Sequence, residues 1–230
     1  MNDYLKMDPA SSPLGPPPGY LVANAGRLPK RERTRLSLLE SAVAVFGQRG
    51  VEAATIHEIT QAARVATGTF YNHFKSKDEL LAALALWLVD GFCQRIAQSY
   101  AHVGDGAERM AIGNRRYIQL AIDTPQWALL VLQLVAAAPE AAARIADYSL
   151  ADLKLGLKQK RFRITNERAA LDLIGGAVGS AMRTVALGEV PASSKRLGYD
   201  SAVATLVLQG LGMSNEEAAT IARKPLPPLP

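Results

Sequence analysis

Between Thr55 and Leu80 the sequence sets two short helices so close together that few folds can hold them. Thr55 and Glu58 form a Thr-x-x-Glu capping box, which satisfies two backbone N–H groups at a helix start. That helix runs to about Ala63. A turn of three or four residues then leads to a second short helix, about Thr67 to Phe74, and a longer one opens near Lys77. Ile59, Ala62, Val65, Phe70 and Phe74 have the character of packing residues that hold the pair at a fixed crossing angle. Two short helices joined by such a turn, on a basic N-terminal segment, are the geometry that lays one helix in the DNA major groove.

The residue types suit that task. Arg27, Lys30, Arg31, Arg33 and Arg35 lie within nine residues beside one acid, Glu32, in a chain of net charge +5. A basic run alone equally fits a solvated helix face. Helix N-termini near Thr55 and Thr67 attract phosphate through unpaired N–H groups and the helix dipole. Tyr71 offers a directed phenolic bond to a phosphate and Lys77 a point charge, and Arg64 in the turn adds another. Thr67, Gly68, Thr69, Asn72 and His73 are short enough for the helix to approach base edges. There an Asn pairs bidentately with adenine and a Thr methyl touches thymine. Singly, Tyr71, His73 and Phe74 fit an ordinary core edge. The joint pattern Gly68-Thr69-Phe70-Tyr71-x-His73-Phe74-x-x-Lys77-x-x-Leu80 favours the DNA reading.

In order and spacing these residues resemble the TetR family of bacterial transcriptional regulators. The resemblance is tight over residues 35 to 80 and extends further only by number and order of helices. It implies an all-α fold in which three N-terminal helices bind DNA and the rest form a dimerising, ligand-sensing domain. It also implies that Tyr71 and Lys77 contact phosphates and that Thr55 caps the second helix. Two positions depart from the family pattern. The turn carries Arg64 where glycine is usual, which costs on the order of 1 kcal/mol if the backbone there is left-handed. The recognition helix is capped by Ala66 rather than a polar residue, a loss of about 1 kcal/mol.

The expected organisation is an arm (1–26), a helix-turn-helix domain (27–76), a helical ligand-binding and dimerisation domain (77–224) and a Pro-rich tail (225–230). The arm holds five prolines and reads as disordered. The tail, Pro225-Leu226-Pro227-Pro228-Leu229-Pro230, cannot be helical and reads as frayed. Leu36, Leu39, Val43 and Phe46 recur at helical spacing and predict a first helix stopped at Gly50. Further helices are expected over about 107–122, 126–138, 141–160, 167–187, 200–211 and 215–223. Thr124 before Pro125, Thr165, and a second capping box at Ser214 to Glu217 mark their starts. The apolar stretches Leu80 to Val89 and Trp127 to Ala138 are shorter than the roughly 20 residues a bilayer requires. One cysteine, Cys93, excludes an internal disulfide and fits a reducing compartment. A cytoplasmic protein with no membrane partner is expected.

In the helix from Glu167, small residues recur among apolar ones. Either the chain packs on itself there, or a second copy does. The resemblance favours a homodimer through Ile174, Gly175, Val178, Gly179 and Met182, meeting Val203, Leu206 and Val207. Trp87, Met110, Tyr117, Trp127 and Tyr148 supply bulky apolar surface that is either plain core or, as the resemblance implies, the lining of an effector pocket. Arg116, Asp123 and Asp90 could orient a ligand or simply face solvent. The three histidines are scattered, so no metal, cofactor or catalytic set is expected. The function implied is a repressor that binds a palindromic double-stranded DNA operator and is released by a small, largely apolar effector. The alternatives are a DNA-binding protein without small-molecule sensing, controlled by a partner or associated with the nucleoid, and a helical enzyme.

Overall fold

The computed structural model describes residues 28–193 and 198–230, and among these it is all helix, with no strand. The expected arm and Arg27 fall outside the described residues. Among the described residues ten helices are bounded, in order: α1 Lys30–Arg49, α2 Ile56–Ala62, α3 Thr67–Tyr71, α4 Lys77–Ser99, α5 Gly106–Asp123, α6 Pro125–Ala137, α7 Pro139–Lys158, α8 Glu167–Ala186, α9 Tyr199–Gly210 and α10 Asn215–Ala222. Helix α1 ends as expected at Gly50, whose φ of 80° is cheap only for glycine. At α8 the cap is Asn166 rather than Thr165: its side chain accepts from Ala169 N at 2.9 Å. Thr124 holds the position before α6, but its hydroxyl donates backwards to Leu120 O, so Pro125 alone marks that start. Ser214 caps α10, while the Glu217 carboxylate expected to complete the box is ion-paired with Arg161.

Leu38, Leu39, Val43, Phe46, Ile59, Phe70 and Phe74 bury the inner faces of α1 to α3. The same cluster runs on through Leu80, Leu84 and Leu88 of α4 into α6 and the end of α8, so apolar packing is continuous across residue 77. A second cluster closes the far end, from Met110 and Leu153 to Val207, Leu208 and Leu211. There α5 meets α7 almost backbone to backbone. A Cβ on Gly106 would lie 2.4 Å from Gly156 N, and one on Gly156 would lie 2.2 Å from the Phe162 ring.

By length and composition α4 could cross a membrane, the one helix among those described that could alone. Half of that stretch is instead buried in the first cluster, through Leu80, Leu81, Leu84, Ala85, Leu88, Val89 and Phe92, while Leu86 is exposed. The Pro-rich tail is docked, contrary to the expected fraying. Leu226 and Leu229 pack against the main core, and carbonyls of Lys224, Pro227 and Pro230 accept from Arg115, Arg116 and Arg95. Proline carbonyls are strong acceptors with no N–H of their own to satisfy, so a Pro-rich strand can lie on a surface that supplies donors.

Candidate functional site

Two regions gather the expected site residues, one at each end of α4. At the first, Thr55 Oγ1 accepts from Glu58 N at 3.2 Å, and Thr55 N donates to Glu58 Oε2 at 2.9 Å. The box therefore forms in full, and Thr55 is a cap. Its hydrogen bonds hold the Glu58 carboxyl below its usual range. Arg64 takes φ 55°, so the left-handed turn is kept without glycine and the side chain projects to solvent. Ala66 makes no side-chain cap, again as its type requires.

Helix α3 buries Phe70 at the core and turns its other face outward. Thr67, Gly68, Tyr71 and Asn72 are exposed, Tyr71 by 57%. Nothing stands within 4 Å of a Cβ built on Gly68, so a flat surface could approach there. Thr69 and His73 are half-buried. Burial, with Arg31 and Arg35 nearby, pushes the His73 imidazole down, toward its neutral form. Arg35 itself stacks over the Phe74 ring at 5.1 Å, which ties the basic end of α1 to the segment just past α3.

Lys77 is placed otherwise than its motif position suggests. Its ammonium donates to the carbonyls of Val51, Glu52 and Ala54, each at 3.1 Å. An ammonium has three protons, and all three are aimed at the α1–α2 loop. Lys77 acts as a structural clasp in this arrangement. The sequence missed this because a lysine near a DNA-reading helix carries no mark of which acceptor it will find.

At the other end of α4, a cavity of about 520 Å³ lies between α4, α5, α6, α7 and α8. Each helix gives one face: Cys93, Ile96 and Tyr100; Met110, Asn114 and Tyr117; Val131, Leu132 and Val135; Ile145, Ser149 and Asp152; Ile174, Val178 and Met182. The walls are mainly apolar, with the exposed ion pair Arg168–Asp172 at the rim and two further polar pairs. Tyr100 Oη donates to Asp152 Oδ2 at 2.9 Å, and Cys93 Sγ shares a hydrogen bond of 2.9 Å with Tyr117 Oη. Burial pushes the Asp152 carboxyl up to about 6 and the Cys93 thiol up to about 11. Of the five expected pocket residues, Met110, Tyr117 and Tyr148 line this cavity. Trp87 and Trp127 do not. Trp127 is 3% exposed inside the core, and Trp87 packs half-buried against it. Aromatic bulk marks burial in a sequence, but it does not say which side of a helix wall a ring occupies. Asn114, Tyr100 and Asp152 drew no notice in the sequence; their signal was polarity on otherwise apolar helical faces.

The expected interface residues divide by facing. Ile174, Val178, Met182 and Val207 are buried within the chain, and Val203 is half-buried. The outward stripe of α8 lies one position away, at Leu173, Gly176, Ser180 and then Leu187, just past its end. Leu206 of α9 is 67% exposed. Leu173, 43% exposed, reaches Gly210 one turn beyond Leu206, so these apolar positions form one surface. Gly175, Gly176 and Gly179 all border the cavity, and none has anything within 4 Å of a built Cβ. The small residues of α8 are therefore not there to admit another helix of the same chain.

The family model described as "Tetracyclin repressor-like, C-terminal domain" matches residues 105–224, over half the chain, and "Bacterial regulatory proteins, tetR family" matches 38–84. The chain belongs to the TetR family. Among TetR-family relatives, the "Probable acrEF/envCD operon repressor" of Escherichia coli K12 is 35% identical over 72 residues, 31% of this chain and 32% of that one. The repressor KstR2 of Mycobacterium tuberculosis is 33% identical over 76 residues, 33% of this chain and 38% of its own. The chain thus spans about a third of the length of these curated relatives. The activator FasR of Mycolicibacterium smegmatis aligns more broadly, at 29% identity over 67% of this chain and 73% of its own. Among TetR-family structures, RolR in complex with resorcinol superposes with a TM-score of 0.70 at 29% identity, covering 87% of this chain and 98% of RolR. FadR of Bacillus subtilis, at 19% identity and a TM-score of 0.65 over 76% of this chain and 98% of its own, shares the fold.

Proposed function

We propose that this chain is a DNA-binding transcriptional repressor that acts as a homodimer on a palindromic operator and is released by a small molecule bound in the α4–α8 cavity. One observation carries this reading. Helix α4 runs unbroken for 23 residues from the Ser76 cap, beside the reading helix, to the cavity wall at Cys93 and Ile96. A ligand that prefers one packing of the cavity therefore biases where the DNA module sits. Thr67, Gly68, Thr69, Tyr71, Asn72 and Arg64 would face DNA, with Asn72 and the threonines at base edges and Tyr71 and Arg64 at phosphates. The apolar surface of Leu173, Gly176, Leu187 and Leu206 would meet its own copy by two-fold symmetry, which places two recognition helices on successive grooves.

The RolR structure, at 29% identity, is a complex with resorcinol, which supports a compact effector for a cavity of this size. The experiment is a selection of bound duplexes from a random pool, followed by a thermal-shift screen of a mixed compound library. The expected outcome is a two-fold symmetric site and a stabilising compound that lowers its affinity. Operator DNA should weaken that compound by the same factor, because the coupling free energy is shared. A selected site without two-fold symmetry, or stabilising compounds that leave DNA affinity unchanged, would refute the proposal. FasR is named an activator, so a promoter reporter should accompany the selection; rising transcription with added protein would reverse the sign.

A further inference from the structure

One buried polar group in the cavity wall has no partner among the described residues. Asn114 is 4% exposed, and its Nδ2 donates to nothing. A primary amide placed that way carries a desolvation cost unless something in the cavity accepts from it. The same cavity is lined by Asp152, 6% exposed, whose Oδ2 accepts from Tyr100. That bond uses one of the roughly four acceptor positions of a carboxylate. No Lys or Arg among the described residues makes an ion pair with Asp152. Arg109 stacks over the Tyr100 ring at 5.6 Å and donates to Val103 O; its charge acts on Asp152 from there without a hydrogen bond. Arg168 lines the rim, where it is exposed and ion-paired with Asp172 at 2.9 Å. The wall therefore holds one unpartnered donor, itself covered by its neighbours, and one acceptor of negative character, set among apolar side chains.

We propose, on the reading that this cavity is the effector site, that it takes a small neutral compound bearing hydroxyl groups: a hydroxyl oxygen accepts from Asn114 Nδ2 and an O–H donates to Asp152. Charge excludes the two obvious competitors. A carboxylate or phosphate ester would meet the Asp152 charge where the guanidiniums of Arg109 and the rim Arg168 already hold other partners, and two like charges in a desolvated site repel. An ammonium would pair with Asp152 but has no lone pair, which leaves the Asn114 donor still unmet. A hydroxyl is donor and acceptor at once and serves both. The volume of about 520 Å³ fits a small-molecule site.

The test uses the full chain and three compact ring compounds that differ in charge: resorcinol, benzoate and benzylamine. Thermal shift and calorimetry should show resorcinol stabilising the protein, with benzoate and benzylamine inactive at the same concentration. Asn114→Leu should weaken resorcinol about tenfold or more, the loss of a hydrogen bond in a buried site. Its own melting temperature should not fall, because the substitution removes an unsatisfied amide in favour of an apolar group of similar size. Asp152→Asn keeps an acceptor for Tyr100 and removes the negative charge, so benzoate should begin to bind; a merely structural Asp152 would not alter that preference. Parent protein that binds benzoate or benzylamine as well as resorcinol overturns the hydroxyl assignment. So does resorcinol affinity unchanged in Asn114→Leu, or no stabilisation by any of the three. The effector reading itself is judged separately, by the library screen above.

Discussion

Replacing Lys77 with methionine separates two roles that a lysine beside a recognition helix can have. Methionine keeps the length and apolar stem of the side chain and deletes the ammonium. Three hydrogen bonds to the carbonyls of Val51, Glu52 and Ala54 are lost. The bonds to Val51 and Ala54 are partly buried and that to Glu52 is exposed. Taking only the two shielded bonds, at about 1.5 kcal/mol each for a charged donor, the loss is about 3 kcal/mol. For a chain of this size that lowers the melting temperature by about 6–12 °C. If Lys77 instead met a phosphate, stability would hold and the slope of log affinity against log salt would shrink by about one. Thermal unfolding and a salt titration on any mixed-sequence duplex give both numbers without knowledge of the operator. An unchanged melting temperature with a slope reduced by one would refute the clasp.

Four further outcomes are expected. Asn72→Ala should lose about 1–3 kcal/mol at one operator base pair, measured across single-base variants; equal loss at every variant would make Asn72 a positioning residue. Leu206→Glu should give a folded monomer by sedimentation, since the side chain is 67% exposed within one chain; a variant that stays dimeric places the interface elsewhere. Asp152→Asn should also flatten the pH dependence of stability. The folded-state pKa is raised from 3.8 to about 6, so the parent loses stability as pH rises through that window, by up to about 3 kcal/mol. Asp152→Asn should unfold at a higher temperature than the parent at pH 7 and near parity at pH 4, and the reverse order would contradict the burial argument. Removing 225–230 should cost about 2 kcal/mol from two half-buried leucines, and an unchanged melting temperature would mean that the docked tail contributes nothing.

What was legible in the sequence was what short-range chemistry decides. The Thr55–Glu58 box, the stop at Gly50 and the periodicity of Leu80, Leu84 and Leu88 each depend on neighbours within a turn or two. What was not legible depends on partners far along the chain. Lys77 finds its acceptors some 23–26 residues back, and the tail finds Arg95 at a separation of 135. The outward stripe of α8 lies one residue away from the expected one because each position turns the helix by about 100°. A mixed run such as Leu173-Ile174-Gly175-Gly176-Ala177-Val178 offers apolar or small residues on every side. Trp127 carried a further ambiguity, since a buried ring and a pocket ring share composition.

The Lys77 clasp also determines where bending can occur. It lies in the first turn of α4 and grips the loop between α1 and α2, so the start of that helix is riveted to the DNA-reading module. A hinge at the junction near Ser76 would have to tear three bonds at once. Any tilt started beside Cys93 or Ile96 should therefore travel along α4 as along a rod, and carry α1 to α3 with it as one rigid body. Flexing would fall to the joints below the rivet, where α4 slides against α6 and α7. An electron spin label on each of α1, α3 and the first turn of α4 would keep fixed mutual distances while all three move together relative to α8.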